Sequence, residues 1–288
     1  MMKFMLCNRR LDGMSPEEFN YQWGVVHVAI MVTTPSAMQV FRRYVQGYAL
    51  SQVDDELLLY PRSAAAWDGF ATLAFESMDA FMGSLAEQDY VDRAKPHVFS
   101  APEMIAQLTG EDVLRDALDL PEERAVKLVH FLKRRDDVPL DEFHRRWRED
   151  HAARVLAEPD LVHRYVQNPA LNFDADTFAG TPYGQGAFTL YAGVEELWLD
   201  GAGGLEAFAE RLRDPLRVGA DAFADPAGSF TVVVTDRLRF ASAPDPEGSS
   251  TMCWVPPGIE VRSTPGRWSA PVPAPVAVET AIAAPPAG

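Results

Sequence analysis

Two histidines occupy the same place in a repeated aromatic pattern. His27 closes the series Phe19, Trp23, His27, and His151 closes Phe143, Trp147, His151, with steps of four residues and the second series displaced by 124 positions from the first. Imidazole has its ordinary pKa nearest to working pH, so a buried copy takes or gives a proton cheaply. Residues four apart share one helix face, so each histidine extends an aromatic face toward whatever that face covers. Tyr44 and Tyr165 stand in matching tetrapeptides, Arg43-Tyr44-Val45-Gln46 and Arg164-Tyr165-Val166-Gln167. Strand alternation puts each phenol on the side of Gln46 or Gln167, where a hydroxyl can hold a carbonyl or a developing oxyanion. By the same alternation His163 shares the face of Tyr165, and Glu196 shares a face with Trp198. The expected chemistry is proton transfer, with His27 or His151 as base and Tyr165 or Glu196 as acid. Trp23, Tyr44, Trp147, His163, Gln167 and Trp198 are expected to line the pocket. Packing alone is the competing account, and for Phe19, Trp23, Phe143 and Trp147 it is the simpler one.

The elements that must position these groups form a tandem repeat. Met2 to Arg10 parallels Val126 to Arg134, Gly69 to Glu76 parallels Gly193 to Asp200, and Phe99-Ser100-Ala101-Pro102 parallels Phe223-Ala224-Asp225-Pro226. Each copy reads strand, helix, strand, strand, helix, strand. Ser15-Pro16-Glu17-Glu18 marks the start of the first helix, with an N-cap serine and proline in the first turn. A second helix is expected near Ser77 to Leu85 and near Gly204 to Leu212. These readings divide the chain into a first repeat (1–110), a connector (111–124) expected to be helical, a second repeat (125–240) and a Pro/Ala-rich C-terminal arm (241–288). That arm holds 10 of the 22 prolines and no lysine, which favours an extended segment. Asn172 to Ala187, rich in glycine and aromatic residues, is expected to form a lid or a surface loop.

An antiparallel sheet with helices on one side leaves its other side apolar and uncovered. In a tandem repeat the two sheets can cover each other, which predicts a barrel-like enclosure and a small-molecule pocket inside it. Copy two brings His130, His163 and Glu196 where copy one has Leu6, Arg42 and Thr72, so the pocket is expected to belong mainly to the second copy.

Composition and motifs narrow the chemistry. Forty-two acidic against 26 basic residues give a formal charge of −16, which repels phosphate and argues against nucleic-acid binding. The short apolar start, broken by Arg9 and Arg10, is too brief for a signal peptide or a membrane span, so a soluble cytoplasmic protein without membrane partners is expected. Two cysteines, Cys7 and Cys253, make a disulfide framework or thiolate site improbable. His144 and His151 lie about two helical turns apart, too far for one metal ion. No nucleotide-loop or serine-hydrolase motif occurs. No metal and no cofactor are expected.

The strand followed by P-x-x-F-x-x-x-W-x-x-x-H, then R-Y-V-Q, then G-V-x-E-L-W resembles the EthD family of dimeric α+β barrel proteins. The likeness covers both copies and is stronger in the second, at Asp150-His151-Ala152 and Tyr165-Val166-Gln167-Asn168; the first departs at Val28, Ile30 and Thr72. It implies an α+β fold of two tandem ferredoxin-like repeats whose antiparallel sheets face each other as a pseudo-dimeric barrel, followed by the Pro-rich arm. Members of that family differ in chemistry, spanning dehydration, cyclisation, isomerisation and cofactor-free oxygenation, so the likeness alone does not choose the reaction; the aromatic-lined enclosure, its clustered titratable groups and the lack of a metal motif point to a cofactor-independent enzyme acting on a hydrophobic aromatic or polycyclic substrate by dehydration or cyclisation. Two alternatives stay open: a cofactor-free monooxygenase of an electron-rich phenol or anthrone, and a small-molecule or haem-binding protein without turnover. Pairing of the pseudo-dimer into a homodimer also stays open.

Overall fold

The structure is a computed structural model that describes residues 1–95, 97–121, 124–171, 175–179, 181, 183, 191–242 and, for the backbone, 252–254. The first repeat opens with strand β1 (Met2–Arg10). Helix α1 (Pro16–Tyr21) starts where Ser15, in extended conformation, accepts the Glu18 N–H on its hydroxyl at 3.1 Å. The helix then widens into a π-helical segment, Gln22–His27, before α2 (Val28–Val32) and α3 (Pro35–Val40). Strands β2 (Phe41–Ala49) and β3 (Gly69–Phe75), helix α4 (Met78–Ala86) capped by Ser77, a π-helical turn Tyr90–Ala94 and β4 (Ser100–Thr109) complete the unit. After β5 (Asp112–Asp116), the second repeat runs β6 (Ala125–Leu132), α5 (Leu140–Arg146), the π-helical Trp147–His151, α6 (Ala152–Leu156), β7 (Arg164–Pro169), β8 (Gly193–Asp200), α7 (Gly201–Phe208), the π-helical Ala209–Arg213, α8 (Asp214–Ala220) and β9 (Phe230–Ser242).

The π-helical segments hold the four-residue aromatic period in closer line than an α-helix would. At 3.6 residues per turn, positions four apart drift by about 40° per step. A wider turn between Trp and His takes up the drift, so Phe19, Trp23 and His27 all stay buried, as do Phe143, Trp147 and His151.

The strands form one sheet in the order β4-β1-β3-β2-β9-β6-β8-β7-β5. Two long strands join the repeats. β9 pairs with β6 of its own unit and with β2 of the other, from Arg43↔Ala241 to Ala49↔Val234. The chain of β4 pairs with β1, then continues as β5 along β7, with Thr109 bridging Ala170. The sheet therefore closes on itself as a barrel with helices outside, as the repeat predicted. Both sheet surfaces are covered, so β3 and β6 are buried along their whole length.

Two expectations need correction. The connector expected to be helical contains β5, because its backbone groups complete the barrel edge along β7, and tertiary pairing overrides local preference. The arm expected to begin at 241 begins inside a strand: β9 ends at Ser242, and Met252–Trp254 form β10 against its last residues. The rest of the arm, including Trp268, lies outside the described residues. So does most of the expected lid, of which 175–179, Thr181 and Tyr183 fall within the described positions. Among the described residues no helix is long and apolar enough to cross a membrane.

Candidate active site

Each repeat has a chamber between its helices and the outer surface of its sheet, and the two chambers share a frame. In the first, Gln46 Nε2 donates to the Trp23 carbonyl at 3.0 Å and to the Tyr44 hydroxyl at 2.7 Å. In the second, Gln167 Nε2 donates to the Trp147 carbonyl at 2.9 Å and to the Tyr165 hydroxyl at 2.7 Å. The expected tyrosine–glutamine pairing across strand alternation is thus present in both. Each tryptophan lies against a glycine at the start of the third strand. A Cβ on Gly69 would stand 2.5 Å from the Trp23 ring, and one on Gly193 would stand 2.5 Å from that of Trp147.

The first chamber is open. It is a cavity of about 40 Å³, with Leu6, Met31, Ala71, Leu73, Phe99 and Met104 as apolar walls and Asn8, Trp23, His27, Tyr44, His97 and Tyr183 bringing polar atoms. His27 and His97 face each other at 5.1 Å between ring centroids, both against Phe99. Burial, helped by the neighbouring His97, holds His27 well below the ordinary histidine pKa. Burial lowers His97 to about 4. Both rings are therefore neutral at pH 7 and able to accept a proton. The ring nitrogens of His27 have no hydrogen-bond partner among the described residues. Burial pushes the Tyr44 phenol up, so it keeps its proton and acts as a donor. Tyr183 comes from the segment between β7 and β8 of the other repeat, and its hydroxyl meets that of Tyr90 at 3.0 Å.

The second chamber is filled. Glu195 accepts from Trp147 Nε1 at 3.1 Å, from the Tyr165 hydroxyl at 3.0 Å, from His151 Nε2 at 3.1 Å and from His130 Nδ1 at 2.7 Å. Burial pushes the Glu195 carboxyl up, but His151 and His130 outweigh it and leave the group well below its ordinary pKa. The plug is chain from the first repeat: Leu58, Leu59 and Tyr60 join the second core, and Tyr60 lies edge-on to His130 at 5.5 Å. The Tyr60 carbonyl is held by the Thr231 hydroxyl at 2.9 Å.

The barrel interior forms a third environment. Lys3 bridges Glu111 at 2.8 Å and Glu196 at 3.0 Å, and Lys127 bridges Glu196 at 3.0 Å and Asp236 at 2.8 Å. A cavity of about 320 Å³ opens beside this network, walled by Trp198, Arg43, Arg164, Leu118, Leu120 and Leu238 among others. Further along, Met5, Cys7, Phe70, Val129, Phe131 and Phe230 fill the space between the sheets. Burial opposes ionisation of Glu196, yet Lys3 and Lys127 prevail and hold it far below the ordinary range.

The expected site residues therefore fall into three places. Trp23, His27 and Tyr44 meet at the open chamber. Trp147, His151, Tyr165 and Gln167 meet in the sealed one, where His151, Tyr165 and Glu195 have no exposure against 8% for His27. Glu196 and Trp198 lie on the barrel side of β8, separated from His151 by the sheet. As an acid Glu196 is ill placed, because two lysines keep it ionised. His163 is half-buried just before β7 and lines neither cavity. The enclosure expected between the sheets is present, but it does not hold the histidines. The pocket was expected to belong mainly to copy two on account of its titratable groups; there His130, His151 and Tyr165 are instead engaged by Glu195. Glu195, Ala71, Asn8, His97, Lys3 and Lys127 escaped the sequence reading. The signal for Glu195 was the register pairing it with His130.

A closed barrel of two ferredoxin-like units, with helices outside and chambers between helix and sheet, defines a dimeric α+β barrel protein fused into one chain. The chain belongs to the EthD domain family, whose model matches residues 11–100 and 135–241. It is similar to Chalcone isomerase cfoK of Aspergillus candidus, 24% identical over 230 residues that cover 76% of this chain and 87% of the relative. In fold it is similar to a crystal structure described as a candidate monooxygenase from Fusobacterium nucleatum, with a TM-score of 0.50 at 7% identity, covering 82% of this chain and 92% of the other. A second such candidate, from Lactobacillus acidophilus, has a TM-score of 0.46 at 9% identity, covering 88% and 99%.

Proposed function

We propose that the protein is a cofactor-independent acid/base enzyme that cyclises a hydrophobic aromatic substrate in the first-repeat chamber, with His27 as the base. The observation that carries this reading is a neutral His27, without a hydrogen-bond partner among the described residues, at the wall of a largely apolar pocket that Tyr44 also lines. The relative described as a chalcone isomerase supports an aryl enone as substrate class. On such a substrate His27 takes the proton of a phenol placed ortho to the ketone. The phenolate oxygen forms a C–O bond at the β-carbon, the enone π electrons shift to an enolate, and the proton returns at the α-carbon. No atom is gained or lost. Dehydration of a β-hydroxy ketone would use the same base, with the proton passing to the departing hydroxide.

A cavity of about 40 Å³ is far below the roughly 300–1,000 Å³ of pockets that enclose a whole small-molecule ligand. Substrate binding therefore displaces wall side chains, among them Tyr183 of the other repeat, whose hydroxyl meets that of Tyr90 at 3.0 Å.

The test is loss of the enone absorbance for hydroxychalcones, with dissolved oxygen followed in parallel. His27→Ala is expected to lower kcat by about 10²–10⁴-fold. Since the neutral ring is the active form and its pKa is lowered, the acid limb of the kcat/KM profile should lie below the ordinary histidine range. Unchanged turnover in His27→Ala overturns the proposal, and stoichiometric oxygen uptake replaces it with oxygenation.

A further inference from the structure

The sealed chamber shows what the open one lacks. β3 and β8 are counterparts in their repeats. Ala71 faces Leu6 and Gln46 across the first sheet, as Glu195 faces His130 and Gln167 across the second. The surroundings match: the same glutamine bridge, the same glycine under the same indole, and the histidine edge-on to a phenylalanine, His27 to Phe99 at 5.2 Å and His151 to Phe223 at 5.8 Å. In the second repeat this frame aims an indole N–H, a phenol and an imidazole at one carboxylate. In the first, the counterparts Trp23, Tyr44 and His27 remain and the carboxylate is missing.

Their donors are spare. Gln46 Oε1 accepts from Arg239 Nε at 2.8 Å, and a guanidinium can only donate, so the amide is fixed with its NH₂ toward Tyr44. The Tyr44 oxygen thus accepts from Gln46, and its own proton has no acceptor among the described residues. The same is true of the Trp23 indole N–H. An indole N–H and a phenol O–H set among apolar walls, with no acceptor among the described residues, suit an anionic oxygen.

We propose that the first-repeat chamber is an oxyanion site: it binds a hydrophobic molecule through one anionic oxygen, phenolate or enolate, lodged where Glu195 places its carboxylate in the second repeat. Ala71 is the specificity-determining residue, because its short side chain leaves that position to the ligand. Tyr44 and Trp23 donate to the oxygen, and His27 stands where it can deliver or remove its proton. This rests on the reading that the substrate occupies this chamber, and it adds which group of the substrate is recognised.

4-Nitrophenol is the probe, since its phenolate absorbs in the visible and its ionisation on the protein can be titrated directly. The wild-type protein is expected to bind the phenolate in preference to the phenol, so that bound probe ionises at lower pH than free probe. Tyr44→Phe and Trp23→Phe should each weaken that preference by roughly ten- to a hundredfold, the worth of one hydrogen bond to a charged acceptor. Ala71→Glu should abolish phenolate binding and, with no ligand present, raise the NMR-observed pKa of His27, because the new carboxylate occupies the site. Probe bound as neutral phenol, or phenolate bound equally by wild type and Tyr44→Phe, overturns the proposal. A folded Ala71→Glu with unaltered His27 titration does so too, and the two Phe variants decide the matter if Ala71→Glu does not fold. Phenolate binding without chalcone turnover would sink the cyclisation reading alone; His27-dependent turnover without phenolate preference would sink this one alone.

Discussion

Glu195→Ala is the sharpest perturbation of the second repeat. It removes the acceptor shared by Trp147, Tyr165, His151 and His130, in a cluster where His130, His151 and Glu195 have no exposure. Removing one partner of a buried charged network costs about 3–5 kcal/mol, because the groups left behind stay desolvated. At about 2–4 °C per kcal/mol for a body of this size, the melting temperature should fall by roughly 6–20 °C. Glu195→Gln keeps an acceptor for two donors at nearly the same shape, so its cost should be smaller, about 1–2 kcal/mol. The pH dependence gives a second readout. The folded-state pKa of Glu195 is depressed, so its contribution is complete above the ordinary glutamate pKa and is lost as pH falls through the lowered value. The stability gap between wild type and Glu195→Gln should therefore be widest near neutrality and narrow on acidification. Urea titrations followed by tryptophan fluorescence at several pH values measure both effects. Glu195→Ala within about 1 kcal/mol of wild type, or a gap to Glu195→Gln that ignores pH, would refute the reasoning.

Gly69→Ala would place a Cβ 2.5 Å from both Asn8 Oδ1 and the Trp23 ring, costing about 1–3 kcal/mol by overpacking and shifting the indole out of the open chamber. Turnover should fall with it, whereas Gly193→Ala, against Trp147, should cost stability and spare turnover; equal loss of turnover in both would contradict the assignment of function to the first repeat. Lys127→Met removes the cation between Glu196 and Asp236 inside the barrel and should destabilise by about 3–5 kcal/mol. Adding Glu196→Gln should recover part of that loss in a double-mutant cycle, and strictly additive losses would show that the two side chains are not coupled.

The repeat was legible because both copies had to solve the same packing problem. The Phe–Trp–His steps, the Ser15 cap and the tyrosine–glutamine pairs rest on local geometry, which a sequence carries directly. What was not legible depends on partners distant in the chain. The segment Gly193–Asp200 reads G-V-E-E-L-W-L-D, and alternation alone says that Glu195 and Glu196 point in opposite directions, not which one points where. A half-exposed strand would settle the phase by its polar side, but β8 is covered on both surfaces. Lys3 and Lys127 draw Glu196 inward, and His130 with Tyr165 draws Glu195 outward. The wealth of titratable groups in copy two pointed toward function for a related reason. Such groups are costly to bury, so they mark either a working site or a set of mutual partners. Glu195 turns them into the second by giving each histidine a hydrogen bond, and Tyr60 closes the remaining gap. Ala71 leaves the first repeat without that resolution. Among the described residues the Tyr44 proton, the Trp23 indole N–H and the neutral His27 imidazole find no partner, and that deficit, more than any abundance of acids and bases, is what the proposed ligand would complete.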